Sequence, residues 1–158
     1  MTTKKVVVVG AGAVGCFYGG MLSLIGGHTV TLIGRSNRCE AITRQGLYLD
    51  CEKLGIQGTA DRIQTSSNYK ELQNSDIILL AVKSTDTAAT VAEMAPHLPC
   101  SIPIVSLQNG VDNAQRLTCV APNNPVFPCV VYVAVEMINE HCVKHHGRGD
   151  LGTNSSLK

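Results

Sequence analysis

The feature that most constrains the fold is a run of valines that leads directly into a glycine-rich turn. Residues 6–9 are four consecutive valines, and a β-branched run without polar alternation is typical of a strand buried on both faces of a parallel sheet. After the turn at 10–15, apolar residues recur at three- and four-residue spacing up to position 25, which predicts a helix. A second strand is predicted over 28–33, so the chain opens with a strand–helix–strand unit suited to a right-handed crossover.

Strands and helical patterns continue to alternate along the chain. The predicted elements are a strand at 76–82, a helix from Thr85 or Asp86 to before Pro96, a strand at 102–107, a helix from Asp112 to before Pro122, and strands at 126–135 and 142–145 that are expected to pair antiparallel at an edge. Between 35 and 75 only short segments are predicted, around 47–49 and 55–57, with a short helix near 69–73. This alternation indicates an α/β fold. Residues 1–158 are therefore expected to form one Rossmann-like, doubly wound domain with a mostly parallel sheet and helices on both faces.

The glycine-rich turn reads Gly10-Ala11-Gly12-Ala13-Val14-Gly15 and satisfies the pattern G-x-G-x-x-G. The pattern alone is weak, but here it follows a strand and opens a helix within a strand–helix–strand unit, which is the context of a dinucleotide-binding turn. The first glycine permits the tight turn, the second lets the backbone approach a pyrophosphate, and the third allows the helix to pack on the strand. Free amides and the helix dipole then face the anion. The alternative is that the glycines serve packing alone.

The residue after the second strand is expected to select the cofactor. In NAD-binding domains an acidic residue at this strand end accepts hydrogen bonds from the adenosine ribose, whereas this chain reads Gly34-Arg35-Ser36-Asn37-Arg38. A guanidinium matches a 2′-phosphate by bidentate, charge-assisted hydrogen bonds, and a carboxylate would repel it. The sequence therefore favours NADP over NAD, with Arg35 on the 2′-phosphate. The alternative is a solvated surface arginine.

Polar residues at two further strand ends are candidates for the same site. Lys83 follows the strand predicted at 76–82, and Asn109-Gly110 follows the strand at 102–107. Ligands of open α/β sheets bind at the carboxyl ends of the strands. Lys83 can bind a ribose hydroxyl or a substrate anion there, and Asn109 can donate and accept hydrogen bonds toward the nicotinamide half of the cofactor. The alternatives are a solvated lysine and a simple Asn-Gly turn.

Composition argues against several other classes of protein. With a net charge of +1, four Tyr, two Phe and no Trp, the chain lacks the basic surface and the stacking groups of a nucleic-acid-binding protein. Seven Cys without a C-x-x-C pair argue against a disulfide framework and favour a reducing cytoplasm. No charged residue lies between Lys5 and Arg35, but glycines interrupt this stretch too often for a signal peptide or a spanning helix. We expect no nucleic-acid partner and no membrane partner, and the oligomeric state stays open.

Two local features suggest other chemistry. His141, Cys142, His145 and His146 include imidazole and thiolate ligands of zinc, but neighbouring residues on a strand point to opposite faces, so the four do not converge and no metal is expected. Cys16 lies where a helix dipole can lower the pKa of a thiol. A small buried side chain is nevertheless the favoured interpretation of Cys16 over a redox role.

Together these motifs resemble the N-terminal half of ketopantoate reductases, also called 2-dehydropantoate 2-reductases. The resemblance spans nearly the whole chain and is carried by GAGAVG at 10–15, GR at 34–35, AVKSTDT at 81–87, SLQNG at 106–110, and VYVAVEM followed by VKHHGRG at 143–149. It implies that residues 10–15 bind pyrophosphate and that Arg35 binds the 2′-phosphate. It also implies that Lys83 and Asn109 lie on the nicotinamide-ribose side near the substrate and that Glu136 makes another cofactor contact.

The resemblance also implies a reaction, hydride transfer from NADPH to the 2-keto group of ketopantoate. The product is pantoate, for pantothenate and coenzyme A synthesis; the cofactor carries the chemistry, and the protein positions it and supplies a proton. In the family the proton-donating lysine and most substrate contacts lie on a following helical domain, which is not found before Lys158. We therefore expect a cofactor domain, as a fragment or a truncated reading frame, with an unidentified general acid. The alternatives are a non-catalytic NADP-binding module and an NADP-dependent dehydrogenase of another keto acid.

Overall fold

The computed structural model describes residues 2–108 and 112–153. The strands are β1 (Lys5–Val9), β2 (Thr29–Ile33), β3 (Leu47–Cys51), β4 (Ile56–Ala60), β5 (Ile63–Ser66), β6 (Ile77–Leu80), β7 (Ile104–Ser106), β8 (Val126–Met137) and β9 (Cys142–Thr153). The α-helices are α1 (Ala13–Leu24), α2 (Ser36–Gln45), α3 (Thr87–Met94) and α4 (Asp112–Val120). Short 3-10 helices lie at Glu52–Leu54, Tyr69–Asn74, Ser84–Asp86 and Ala95–His97.

All the strands belong to one sheet, in the order β4-β3-β9-β8-β7-β6-β1-β2-β5. Within the described ranges, neighbouring strands are parallel except for two antiparallel pairs, β3 with β4 and β8 with β9. This confirms the predicted α/β, Rossmann-like fold with a mostly parallel sheet. The chain leaves β1 for β2 on one side and later places β6 on the other side. Such a reversal of strand order opens a crevice at the carboxyl end of β1.

The valine run is buried on both faces of the sheet, which explains why it does not alternate with polar residues. Val6 and Val8 pack in a core that includes Phe17 of α1, while Val7 and Val9 pack in a second core with residues of α3 and α4. None of these valines is more than 3% exposed. Burying each contributes roughly 1.5–3 kcal/mol. The run therefore fixes β1 at the centre of the fold, with helices on both faces.

The hairpin of β8 and β9 does not lie at an edge of the sheet, and that prediction was wrong. The antiparallel pairing itself is confirmed. However, β9 also pairs in parallel with β3, and β3 pairs with β4, so the edges of the sheet are β4 and β5. Both β3 and β4 come from the stretch 35–75, where short apolar segments carry no indication of their partner strand.

Several predicted elements are present with shorter bounds. The strand predicted at 76–82 is Ile77–Leu80, and the one predicted at 102–107 is Ile104–Ser106. Pro103 has no amide to donate to a sheet ladder, which is consistent with the later start of β7. α3 begins after Asp86, whose side chain makes no capping hydrogen bond. α4 begins at the predicted residue, Asp112.

Cysteine pairing and helix length bear on the broad class of the protein. All seven cysteines are unpaired, and the cytoplasmic location inferred from cysteine usage stays a prediction. Among residues 2–108 and 112–153, no helix combines the length and the apolar composition that a bilayer crossing requires.

Candidate functional site

A cleft of about 770 Å³ opens at the carboxyl ends of β1, β2 and β6. Its lining includes residues 9–12, 33–35 and 81–83, which end or follow these three strands. Because β2 and β6 flank β1 in the sheet, segments far apart in sequence meet here. The cleft occupies the point of strand-order reversal, where open α/β sheets bind ligands.

Glycine stands at each of the three positions of the turn for a different physical reason. Gly10 has a φ of +109°, and a Cβ there would lie 2.7 Å from the amide nitrogen of Val82. At Gly15 a Cβ would overlap the carbonyl oxygen of Gly10, so α1 packs against the turn only without a side chain at that position. Gly12 differs, because a Cβ there would meet no atom within 4 Å. Contacts within the protein therefore do not require a glycine at position 12, whereas the close approach of a ligand to the main chain would require one.

The main chain at the start of α1 presents hydrogen-bond donors. The amides of Gly10 and Ala11 both donate to the carbonyl of Ile33, at 2.9 and 3.1 Å, which ties the turn to the end of β2. The first hydrogen bond within the helix is donated by the amide of Cys16, at 2.8 Å. The amides of residues 13–15 therefore have no acceptor within the helix. Together with the helix dipole, these amides suit the negative charge of a diphosphate, and the turn fits a dinucleotide.

Arg35 lies in the same cleft as the glycine turn. It is the N-cap of α2, with an extended backbone (φ −69°, ψ 147°), and its exposed side chain lines the cleft directly beyond β2. The preceding Gly34 approaches the turn so closely that a Cβ there would lie 2.6 Å from the Cβ of Ala11. The segment with the arginine therefore lies against the glycine turn.

A second arginine, Arg38, also lines the cleft. Arg38 lies one helical turn after Arg35, and its Nη2 is 3.0 Å from Oε2 of Glu140 in the turn between β8 and β9. Its Nη1 is buried without a hydrogen-bond partner in the described part of the chain. The pair joins α2 to the β8–β9 turn. Helical spacing after Arg35 is a signal for Arg38, but no sequence pattern links it to an acid so far along the chain.

The remaining predicted residues lie in different places. Lys83 is exposed and lines the cleft just before the 3-10 helix Ser84–Asp86. Glu136 is not brought to the cleft, because it lies on the exposed side of β8 and its Oε1 is 2.6 Å from Nε2 of His146. Asn109 falls outside the described residues. From the glycine turn, Gly10, Ala11 and Gly12 line the cleft, and Ala13, Val14 and Gly15 form the first turn of α1.

Another part of the cleft lining combines a tyrosine with a carboxylate. Tyr69, Thr90 and Glu93 all line the cleft. Burial raises the pKa of Tyr69, and the Glu93 carboxylate raises it further, while a hydrogen bond with Thr90 acts in the opposite direction. The Tyr69 hydroxyl is therefore protonated at neutral pH and can donate a hydrogen bond. No sequence pattern indicated these residues, since Tyr69 lies in the stretch without clear periodicity.

Cys16 and His145 are buried side chains. Burial raises the pKa of the Cys16 thiol to about 12, although Arg38 acts in the opposite direction, so the thiol is protonated at neutral pH. This agrees with the interpretation of Cys16 as a small buried side chain. His145 is buried and stacks on Phe17 with ring centroids 5.4 Å apart, whereas the neighbouring His146 is exposed. The two rings thus point to opposite faces of β9, as strand geometry requires.

Comparison with known families decides what kind of domain carries this cleft. Residues 6–154 match the family described as "Ketopantoate reductase PanE/ApbA". The chain belongs to the ketopantoate reductase family. The resemblance inferred from the motifs is therefore confirmed, and the match extends from β1 to the end of β9.

Solved and curated relatives agree with this assignment. The PanE/ApbA family ketopantoate reductase from Ralstonia eutropha JMP134 has a TM-score of 0.86 and 44% identity, over 93% of this chain and 48% of that chain. The 2-dehydropantoate 2-reductase of Pyrococcus abyssi is 32% identical over 113 residues, 72% of this chain and 35% of the relative. A glycerol-3-phosphate dehydrogenase (NAD(P)+) of Agrobacterium fabrum is 30% identical over 118 residues, 74% of this chain and 36% of the relative. The chain thus spans less than half the length of each of these three relatives.

Proposed function

We propose that this chain binds NADP(H) and forms the cofactor domain of an enzyme that reduces 2-dehydropantoate to pantoate. The observation that carries the proposal is the position of Arg35 at the end of β2, in the same cleft as the open main chain at Gly12. No acid occurs between Gly34 and Cys39, and the Glu140 carboxylate in the cleft lining is paired with Arg38, so the segment after β2 offers the guanidinium of Arg35 to an adenosine ribose. A 2′-phosphate is therefore favoured over a free 2′-hydroxyl.

The residues of the chain have separate roles in this proposal. The amides of residues 13–15 bind the diphosphate, Arg35 binds the 2′-phosphate, and Lys83 binds on the nicotinamide-ribose side. NADPH, when bound, supplies the hydride for the keto group. Because the cofactor is anchored at both ends, its reactive ring is held at a fixed place relative to the sheet. We propose that the proton donor and most substrate contacts belong to the helical domain implied by the family resemblance.

Titration of the protein with NADPH and with NADH, followed by nicotinamide fluorescence, tests the cofactor assignment. Replacing a bidentate guanidinium by a repelling carboxylate removes a charged hydrogen-bonded contact of about 1.5–3 kcal/mol, so Arg35→Asp should weaken NADPH binding by at least roughly tenfold. NADH binding should not weaken. Arg44→Asp makes the same change of charge on exposed α2 surface outside the cleft lining and should alter neither affinity. An Arg35→Asp protein that still prefers NADPH would contradict the proposal.

A second measurement addresses the substrate. The similarity to a glycerol-3-phosphate dehydrogenase shows that related cofactor domains serve more than one reaction, so NADPH oxidation should be followed with 2-dehydropantoate, with other 2-keto acids and with dihydroxyacetone phosphate. Turnover with 2-dehydropantoate supports the proposed reaction. Turnover with a different substrate supports the related-dehydrogenase alternative. Tight NADPH binding without turnover supports a binding module or a cofactor-domain fragment, and activity recovered by adding a helical domain in trans would distinguish the fragment from the module.

A further inference from the structure

A buried amide lies beneath the loop that carries Lys83. The side chain of Gln108, which follows β7, is only 6% exposed. Its Nε2 donates to the carbonyl of Val82, at 2.8 Å, and to Oγ1 of Thr87, at 2.7 Å. The amide nitrogen of Gln108 therefore binds the residues on both sides of the segment 83–86. That segment follows β6, whereas Gln108 follows β7.

The same amide is held in one orientation. Oγ of Ser106 donates to Oε1 of Gln108 at 3.2 Å, and Ser106 is 2% exposed. If the amide were turned over, its oxygen would face the carbonyl of Val82, and two acceptors would be in contact. The hydrogen bonds thus assign the nitrogen to the loop and the oxygen to β7, and both polar atoms of the amide are satisfied.

The network continues from Thr87 to the main chain of Lys83. Thr87 is fully buried, and its hydroxyl, which accepts from Gln108, donates to the carbonyl of Lys83 at 3.5 Å. The amide of Asp86 donates to the same carbonyl at 2.9 Å. The backbone on both sides of the Lys83 side chain is therefore fixed by partners in the protein interior, while the side chain itself faces the cleft.

We infer that Gln108 and Thr87 are positioning residues, which hold the Lys83 loop in the shape that binds the nicotinamide half of the cofactor. This inference rests on the proposed function. Neither residue lines the cleft, so both act through Lys83. A buried hydrogen-bond network of this kind limits the conformations of a loop whose side chains bind a ligand.

The test compares two ligands that share the adenosine end. NADPH contains the nicotinamide riboside, whereas adenosine 2′,5′-bisphosphate does not. Gln108→Met removes both loop contacts at similar side-chain length, and Thr87→Val removes the hydroxyl at similar shape. Each should weaken NADPH binding by about tenfold and binding of the bisphosphate by less than about twofold. Thr87→Ser, which restores a hydroxyl, should bind both ligands as the wild type does.

A matched control lies at the other end of β7. Nδ2 of Asn124 donates to the carbonyls of Pro99 and Ile102, at 2.7 and 2.9 Å, and this amide is outside the cleft lining. Asn124→Leu should lower the melting temperature, because it removes two partly buried hydrogen bonds, and should leave both ligand affinities unchanged.

Coupling to Lys83 gives the most specific readout. If Gln108 acts through Lys83, the double variant Lys83→Ala/Gln108→Met should bind NADPH as weakly as Lys83→Ala alone. Additive losses in the double variant, equal losses for the two ligands, or an unchanged affinity for NADPH in Gln108→Met would each overturn the inference. If the wild-type chain binds neither ligand, the proposed function itself fails, and this outcome is distinct from the others.

Discussion

Replacing Gly12 by alanine should separate nucleotide binding from folding. The backbone at Gly12 has φ −83° and ψ −172°, which alanine adopts without strain, and the added Cβ would meet no atom within 4 Å. Restricting the unfolded chain stabilises such a variant by about 0.4–1 kcal/mol, while alanine is a poorer N-cap than glycine by a similar amount. The free energy of unfolding should therefore change by less than about 1 kcal/mol.

Gly15→Ala provides the opposite case in the same turn. A Cβ at Gly15 would overlap the carbonyl oxygen of Gly10 and lie 3.1 Å from Cγ1 of Val8, so the backbone of α1 must move away from β1. Overpacking in a core costs about 1–3 kcal/mol and sometimes more. For a chain of this size, each kcal/mol lowers the melting temperature by roughly 2–4 °C.

The assay measures the melting temperature of the free protein and its affinity for NADPH. Gly12→Ala should melt within about 4 °C of the wild type. It should bind NADPH at least about tenfold more weakly, because the methyl group occupies the approach of the diphosphate and hydrogen bonds to a charged group are worth about 1.5–3 kcal/mol. Gly15→Ala should melt clearly lower. Wild-type affinity in Gly12→Ala would refute the placement of the diphosphate over this turn.

Two further predictions concern cysteine reactivity and acid stability. In native protein at pH 8, iodoacetamide should modify the exposed Cys100 and Cys119 before Cys16, because burial raises the pKa of the Cys16 thiol to about 12. Mass spectrometry of peptides measures the order of labelling. Early labelling of Cys16 would contradict its burial. Hydrogen bonds from Gln57 and Lys144 lower the pKa of Asp50 below its usual value of 3.8. The ionised carboxylate therefore stabilises the fold above pH 3.8, and this stabilisation is lost as the pH falls through the lowered pKa. Asp50→Asn should accordingly lower the melting temperature at pH 7, and this difference should shrink on acidification below 3.8; a pH-independent difference would contradict this assignment.

The part of the fold that could be predicted best from sequence is a strand whose two faces are both covered by other elements. The four valines of β1 identify the centre of the sheet because a strand buried on both faces shows no alternation. β3 and β4 lack such a signal. The pairing of β3 with β9 joins Tyr48 to Cys142, and a contact over that sequence distance depends on the twist and length of β8, which no local pattern records.

The candidate site likewise contains residues that the sequence predicts and residues that it does not. The glycine turn and Arg35 were predicted because each occupies a fixed place in a short strand–turn–helix unit, where spacing alone determines geometry. Arg38 with Glu140, and Tyr69 with Glu93, line the same cleft but were not predicted. Their positions depend on how the β8–β9 turn and the segment after β5 fold over the sheet ends, and this is a property of tertiary packing.

The loop after β6 shows why a motif predicts a side chain that lines the cleft better than it predicts the groups that hold its loop in place. Lys83 is recognisable because it follows a buried strand, and the carboxyl ends of parallel strands meet at one edge. Its support comes from the next strand of the sheet, since Gln108 and Thr87 are 21 residues apart in sequence and only 2.7 Å apart in space. Hydrophobic periodicity reports which face of an element is buried, and it carries no information about which two loops share a hydrogen bond. A side chain that lines the cleft can therefore be predicted from its own strand, whereas Gln108, whose amide holds the Lys83 loop, follows a neighbouring strand and has to be found in the folded structure.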